Sequence, residues 1–529
     1  MTRAASRSGL LALAAVVFVL RFGYDYGAGD QDDLFPLLLH QLDASAFAHD
    51  WYVADQGGQV TVRTPFLWLM RGVMLLLPLW GATLVVYAAA WLGVAGGLVR
   101  LAEALGAPPA AQWASTLVVL VAVPTWTLGG NALVSDLLAP EMVAWALALP
   151  AVRLATERRL VAAGALLGLA AYLHLLVGGL VTGALGLAVL FGALGETLRD
   201  RWRLALRLGG TALIVALPFL LAIVRYRIAS PPPAGDLSTF FLFAELRLPH
   251  HYLPSAFAPG RWARFAALTA AGGLGLAVMR RMEKPSVFAE RLLLAIAVSC
   301  LVSLFLVEGA ESLLVAQLQL FKLTVLANAL LVVAACTAVA QSAPAAVRRW
   351  QGPSPVASAA FAGALLLGLG IGLASGGLDS RIGPWRRAAL PMTQAEDWVR
   401  EHTPPDAIVA VPPNSTTFRL RARRAVVVTF KAAPFQDGAI HEWYARLLTL
   451  APAATRSPAR GLAFGDALDD AYALNREDDW ARLARDYGVT HVLRRQDAGA
   501  PPRGVPVFEA GPWAVYALTA AELGDMGGP

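Results

Sequence analysis

The sequence predicts a polytopic α-helical membrane protein of about eleven transmembrane helices, followed by a C-terminal extracytoplasmic α/β domain. Three observations carry that expectation. Of the 529 residues, 57% are hydrophobic and 15% charged, with a mean hydropathy of +0.56, whereas a soluble domain carries roughly a quarter charged residues. Apolar runs of spanning length recur along the first 375 residues, and basic residues fall on alternate connections between them. Past residue 376 the composition changes: 18 Lys/Arg balance 18 Asp/Glu, and the apolar runs shorten to strand length.

Composition also excludes. Cys300 and Cys336 both lie in apolar runs, so neither a disulfide framework nor a thiolate metal cluster is available. The net charge of +6 is spread in small groups and forms no basic patch, which sets nucleic acid aside as a partner.

A spanning helix needs about 20 mostly apolar residues, and runs near 8–26, 80–104, 112–128, 139–153, 160–174, 175–195, 204–224, 262–279, 290–307, 313–340 and 355–375 answer to that. No small-x-small cleavage site follows Leu20 at the usual distance, so the first run reads as an uncleaved span. The long run from Leu160 to Gly195 is split at Tyr172 to His174. With the N-terminus cytoplasmic, inner connections hold Arg3 and Arg7, then Arg100, then Arg153, Arg158 and Arg159. Arg199 to Arg207, Arg280 to Arg291, and Arg348 with Arg349 follow, while the short outer connections hold none. The positive-inside rule is thus satisfied. It places the long loops 23–63 and 225–261 and the tail outside, as in a bacterial inner membrane.

The first domain, 1–375, carries interfacial helices in its first outer loop, 23–79. Leu34 to Phe47 is too short and broken to span, and Thr64 to Leu77 reads as a second amphipathic helix. In the second domain, 376–529, helical patterns at 393–402, 437–449 and 477–487 alternate with strand-like runs at 407–411, 425–429, 490–493, 505–508 and 514–517. Thr393 and Glu396 stand at capping-box spacing. No internal repeat is visible, which weighs against transporters built from duplicated halves.

Chemistry concentrates in the first outer loop, Gly29-Asp30-Gln31-Asp32-Asp33-Leu34-Phe35-Pro36. Crowded carboxylates raise at least one pKa, which suits a general base or a metal-binding pair. An aspartate before a helix also caps free N–H groups; Pro36 marks such a start, Asp33 is the natural cap, and Asp30 leads as base. Further on, His49-Asp50-Trp51-Tyr52 falls at the aqueous rim, where the aromatics also suit plain anchoring.

The second loop contains Arg247-Leu248-Pro249-His250-His251-Tyr252-Leu253-Pro254. Arg and His suit a phosphate or pyrophosphate, and adjacent histidines in an extended strand point to opposite sides, which disfavours a two-His metal site. Ionisable groups at membrane depth mark a site or a buried pair. Lys322 either neutralises a lipid-linked phosphate or pairs with Glu308 or Glu311, and His174 is either a ligand or a satisfied core histidine. In the tail, the charged and aromatic runs at 418–421, 428–431 and 441–446 fit either a sugar platform or an ordinary domain surface.

One N-terminal span, an acidic outer loop with interfacial helices, a many-span body and an outer α/β domain together resemble the GT-C superfamily of membrane glycosyltransferases. The blocks Gly29 to Pro36, Asp50-Trp51-Tyr52-Val53 and Arg247 to Pro254 are similar to bacterial multispan proteins of a related family of unknown function. The resemblance implies a polyprenyl-phosphate sugar donor, a glycan, lipid or protein acceptor, and a catalytic role for Asp30, Asp32 or Asp33, although Asp-Gln-Asp-Asp replaces the familiar Asp-Glu pair. The donor and acceptor would meet Asp50, Arg63, His174, Arg247, His250, His251 and Lys322. No cofactor is required, and the paired aspartates permit a divalent cation. A transporter or flippase of lipid-linked saccharide, or a non-catalytic envelope assembly protein, are the alternatives.

Overall fold

A computed structural model describes residues 2–518, apart from 196, 230–231, 234, 283–285, 346–362, 365–366, 369–389 and 498. The chain divides into two compact units. The first combines Met1–Tyr24, Leu76–Leu221 and His250–Ile382, and the second Asp25–Leu75, Ala222–Pro249 and Gly383–Pro529. Hydropathy groups both outer loops with the spans in 1–375, whereas in the structure most of each loop belongs with the tail.

Within the first unit and its continuation, five helices among the described residues are long and apolar enough to cross a membrane. They are Leu79–Ala104, Leu198–Ile228, Pro259–Arg281, Val287–Gly309 and Leu313–Ser342. Three further apolar helices, Pro109–Ala122, Leu160–Leu173 and Leu175–Leu190, are shorter, and the 21-residue helix Thr2–Phe22 carries an apolar stretch from Ser8 onward. At 1.5 Å per residue a 14-residue helix reaches only about 21 Å, short of a hydrocarbon core of about 30 Å. These helices stop where the sequence offers a polar cap or a break: His174 ends one and begins the next. The run 355–375 lies almost wholly outside the described residues.

Close helix contact in this unit rests on small residues. A Cβ at Gly97 would sit 2.8 Å from Leu149 Cβ, and one at Gly272 would sit 2.6 Å from Leu331 Cβ. Backbones can approach this closely only where a side chain is missing, the usual device of helix packing in lipid. Outward faces stay apolar, as at Ile214 and Phe305, which are 73% and 70% exposed.

In the second unit the tail forms a five-stranded mixed sheet. Its strands are β1 (Ile408–Ala410), β2 (Ala425–Val426), β3 (Val489–Arg495), β4 (Phe508–Ala510) and β5 (Trp513–Ala517), ordered β2-β1-β3-β5-β4. Strand β1 pairs in parallel with β2 and β3, while β5 is antiparallel to β3 and β4. Alternate residues of β3 and β5, Leu493 and Val515, point to one face, where they pack with Val409, Val426, Phe418, Ala395 and Val399.

The helices expected at 393–402, 437–449 and 477–487 are observed at Pro391–His402, Asp437–Leu450 and Glu477–Tyr487. The first begins earlier than its capping-box spacing suggested: Leu390 is the N-cap and Pro391 takes the first turn, a position that suits proline because no N–H bond is lost there.

The helix expected from Leu34 instead runs Asp30–Leu42, with Pro36 in its second turn, and residues 31 to 38 are all buried. It therefore has no exposed apolar stripe to lay in a membrane surface, and it is a core helix of the second unit. Helix Thr64–Met74 differs: Phe66, Leu67 and Met70 are buried, while Trp68, Leu69, Leu75 and Leu76 are exposed.

Candidate active site

Two glycines turn the chain into the acidic helix. Gly27 has φ 78, and its N–H donates to Gln31 Oε1 at 2.8 Å. Gly29 is the N-cap at φ 59 and ψ −128, a conformation that side chains oppose, and its N–H donates to the Thr416 carbonyl at 3.0 Å. Asp30, Asp32 and Asp33 then occupy the first turn, where unpaired N–H groups and the helix dipole favour negative charge. No side chain caps this helix, so Asp33 is not the cap that the sequence suggested.

The three carboxylates have separate surroundings. Asp32 is 1% exposed and accepts the Leu420 N–H at 2.8 Å. Leu420 is the third residue of helix Phe418–Ala422, whose N-cap Thr417 makes no capping bond and donates its hydroxyl to Glu396 instead. Asp32 thus caps a helix remote in sequence. Burial pushes its carboxyl up to about 8, against the pull of Arg419 and the Leu420 N–H. Asp33 is also buried, and its pKa is raised by that burial while Lys431 and Arg63 oppose the rise. Asp30 is the accessible one, 51% exposed, with its Oδ1 2.8 Å from Lys431 Nζ.

Around them stands a set of cations. Arg419 donates from Nε to Asp50 Oδ2 at 2.8 Å and from Nη1 to Thr429 Oγ1 at 2.8 Å, and both members of the Asp50–Arg419 pair are fully enclosed. Asp50 also accepts the N–H groups of Val53 and Val426 at 3.1 Å each. It is therefore a structural acid, and neither it nor the buried Tyr52 lies at an aqueous rim. The guanidinium of Arg63 lies over the rings of Tyr52 and Phe435, 5.6 and 5.2 Å from their centroids. Arg247 Nη2 donates to the Lys431 carbonyl at 2.6 Å. Of the residues singled out from the sequence, Asp30, Asp32, Asp33, Asp50, Arg63 and Arg247 thus lie in one unit, together with Arg419 and Lys431.

The remaining candidates form a second polar cluster, in the first unit. Lys322 lies in a short 3₁₀ turn, Leu320–Leu323, created by Gln319 at φ 50. Its Nζ meets Glu141 Oε2 at 2.6 Å, so its carboxylate partner is Glu141 and not Glu308 or Glu311. His174 Nδ1 accepts the Val177 N–H at 3.3 Å as a helix N-cap. His250 and His251 sit in a single helical turn, Pro249–Tyr252, with ring centroids 4.3 Å apart, and so do not diverge as in an extended strand. Nδ1 of His251 bonds to the Gly129 carbonyl, and burial lowers its pKa to about 4, which leaves the ring neutral. Among the described residues no group of three or more His, Cys, Asp or Glu is spaced to hold a metal ion.

Residues 391–450 match a family described as a domain of unknown function, DUF6798. No curated protein matches the chain in sequence. Among solved structures, the chain is similar to the arabinofuranosyltransferase AftD from Mycobacteria, at 17% identity and a TM-score of 0.48, over 96% of this chain and 40% of that one. It is also similar to the archaeal oligosaccharyltransferase AglB from Archaeoglobus fulgidus, solved with an inhibitory peptide and a dolichol-phosphate, at 14% identity and a TM-score of 0.45. That match covers 92% of this chain and 69% of the other. The chain thus spans well under half the length of the arabinofuranosyltransferase.

Arg419 and Lys431 are the residues that sequence reasoning passed over. Both stood in runs read as a sugar platform or domain surface. A signal was present for Lys431: the chain has three lysines among 43 basic residues, so each lysine stands out against arginine.

Proposed function

We propose that the chain is a membrane glycosyltransferase of GT-C type, moving a sugar from a polyprenyl-phosphate donor to a glycan, lipid or protein acceptor on the extracytoplasmic face. The observation that carries this reading is the separation of roles among the first-turn aspartates. Asp32 is committed to a helix end and Asp33 is enclosed, while Asp30 is open to solvent beside an ammonium.

In this reading Asp30 takes the proton from the acceptor hydroxyl as its oxygen bonds to the anomeric carbon. The bond from that carbon to the phosphate oxygen breaks, and the electron pair leaves with the phosphate. A phosphate leaving group needs no proton, only nearby positive charge. Arg63 and Arg247 belong to the same unit as Asp30 and are the favoured sources of that charge. Lys322 is 4% exposed and engaged by Glu141, so with His174, His250 and His251 it serves the donor only where a ligand displaces that carboxylate. A divalent cation at the aspartates would add charge stabilisation, and chelation separates the two cases.

The test is turnover in nanodiscs with polyprenyl-phosphate sugars. Asp30→Asn is expected to lower turnover by roughly 10²–10⁴-fold, the usual worth of a general base, with the thermal midpoint unchanged. Full activity in that variant would remove Asp30 from the role, and absence of transfer by the native protein from every polyprenyl-phosphate sugar would sink the reading.

A further inference from the structure

Lys431 is anchored by its backbone, and its ammonium is held by Asp30 alone among the ion pairs of the described residues. Its carbonyl accepts from Arg247 Nη2 at 2.6 Å and from the Ala433 N–H at 2.9 Å. The preceding N–H, of Phe430, donates to the Pro413 carbonyl at 2.7 Å, and the Thr429 hydroxyl is held by Arg419. The side chain beyond this anchor is 35% exposed and its partner Asp30 51%, whereas Asp32, Asp33, Asp50, Arg247 and Arg419 are all buried. The Lys431–Asp30 pair is thus the part of the acidic centre that a ligand reaches first.

We infer that Lys431 is an exchangeable anion-binding residue, held by Asp30 at rest and transferred to a phosphate-ester oxygen of the donor when the donor binds. The inference rests on the glycosyltransferase reading for its ligand and reaction. Handing Lys431 to the phosphate does two things at once: it supplies the leaving group with a charge-assisted hydrogen bond, and it strips Asp30 of the cation that weakens it as a base. No proton leaves the ammonium in this step.

Lysine suits exchange better than arginine. A guanidinium would grip the Asp30 carboxylate through two parallel bonds, whereas an ammonium on a flexible stem is a point charge that turns from one acceptor to another. Among 43 basic residues the chain places one of only three lysines here. A buried guanidinium also adjoins: Nη2 of Arg419 has no hydrogen-bond partner among the described residues, and Arg419 lies close enough to Asp32 and Asp33 to act on both charges.

The experiment measures binding and turnover separately on full-length protein in nanodiscs, with polyprenyl phosphate and inorganic phosphate as the binding probes. Lys431→Met is expected to weaken polyprenyl phosphate binding by about tenfold or more, as for loss of a charge-assisted hydrogen bond. Lys431→Arg should bind within a few-fold of native but turn over slowly. Asp30→Asn should bind several-fold more tightly, because the competitor for Lys431 is gone, while its turnover falls by roughly 10²–10⁴-fold. A purely structural lysine would not give opposite signs in these variants. Unchanged binding in a folded Lys431→Met protein, or weaker binding in Asp30→Asn, overturns the inference. Lysine-dependent binding of polyprenyl phosphate by a native protein that transfers no sugar leaves the anion site standing and sinks the enzymatic reading. Equal Lys431-dependent binding of inorganic phosphate would assign the site to free phosphate and overturn the lipid donor as its ligand.

Discussion

At the scale of single residues, Asp32 links the acidic centre to pH. Its carboxyl is raised by burial from 3.8 to about 8, so the folded chain binds a proton there that the unfolded chain has released. Stability from this group is complete below about pH 4, falls as pH rises, and is lost above about pH 8. Asp33 acts in the same direction. Asp32→Asn keeps an oxygen for the Leu420 N–H but cannot ionise, so its thermal midpoint should vary less than native between pH 5 and pH 8 and exceed it at the upper end. A steeper profile in the variant would refute the assignment. Asp50 gives a second expectation. Asp50→Ala strands an enclosed guanidinium and two N–H donors, a loss of about 3–5 kcal/mol for a buried pair, read by denaturant unfolding. A loss below about 1 kcal/mol would mean that water reaches Arg419. The aspartates were legible in the sequence because four acids stand in a short stretch between apolar runs. Arg419 and Lys431 were not, since the pairing of Arg419 with Asp50 spans 369 positions and no local pattern reports it.

At the scale of elements, the acidic helix depends on how it starts. Gly29 occupies a region of φ and ψ that other residues enter only under strain of about 1–3 kcal/mol. Gly29→Ala should therefore cost stability of that order and lower turnover far more than a surface Gly→Ala such as Gly58→Ala, where no atom lies within 4 Å of an added Cβ. Equal turnover in the two variants would show that helix entry does not position the carboxylates. The tail helices were legible from their spacing of apolar residues. Phe418–Ala422 and Leu462–Ala473 were not: the first has five residues and borrows its cap, and the second starts from Gly461 at φ 60 with Gly465 inside it. The acidic helix reads as interfacial in the sequence because His40, Asp43 and His49 interrupt its leucines, while in the structure residues 31 to 38 are covered throughout.

At the scale of the whole molecule, the alternation of basic clusters sets the expected orientation. Alkaline phosphatase fused after residue 376 should be active in a bacterium, and a fusion near Arg201 inactive; the reverse would overturn the sidedness of the proposed reaction. Periodicity and charge gave the many-helix character of the chain, but span number was less legible, because a run's hydrophobicity does not reveal where a polar cap will cut its helix short. The second unit is discontinuous, drawing on 25–75, 222–249 and the tail. That has a consequence for biogenesis. Ribosomes add about 5–20 residues per second, so Asp50 waits on the order of 20 to 70 seconds for Arg419 to be made. Throughout that interval the first loop has no finished core to join. Nascent chains arrested before residue 419 should therefore leave the 25–75 segment open to added protease, and the protection of that segment should appear only when synthesis nears its end.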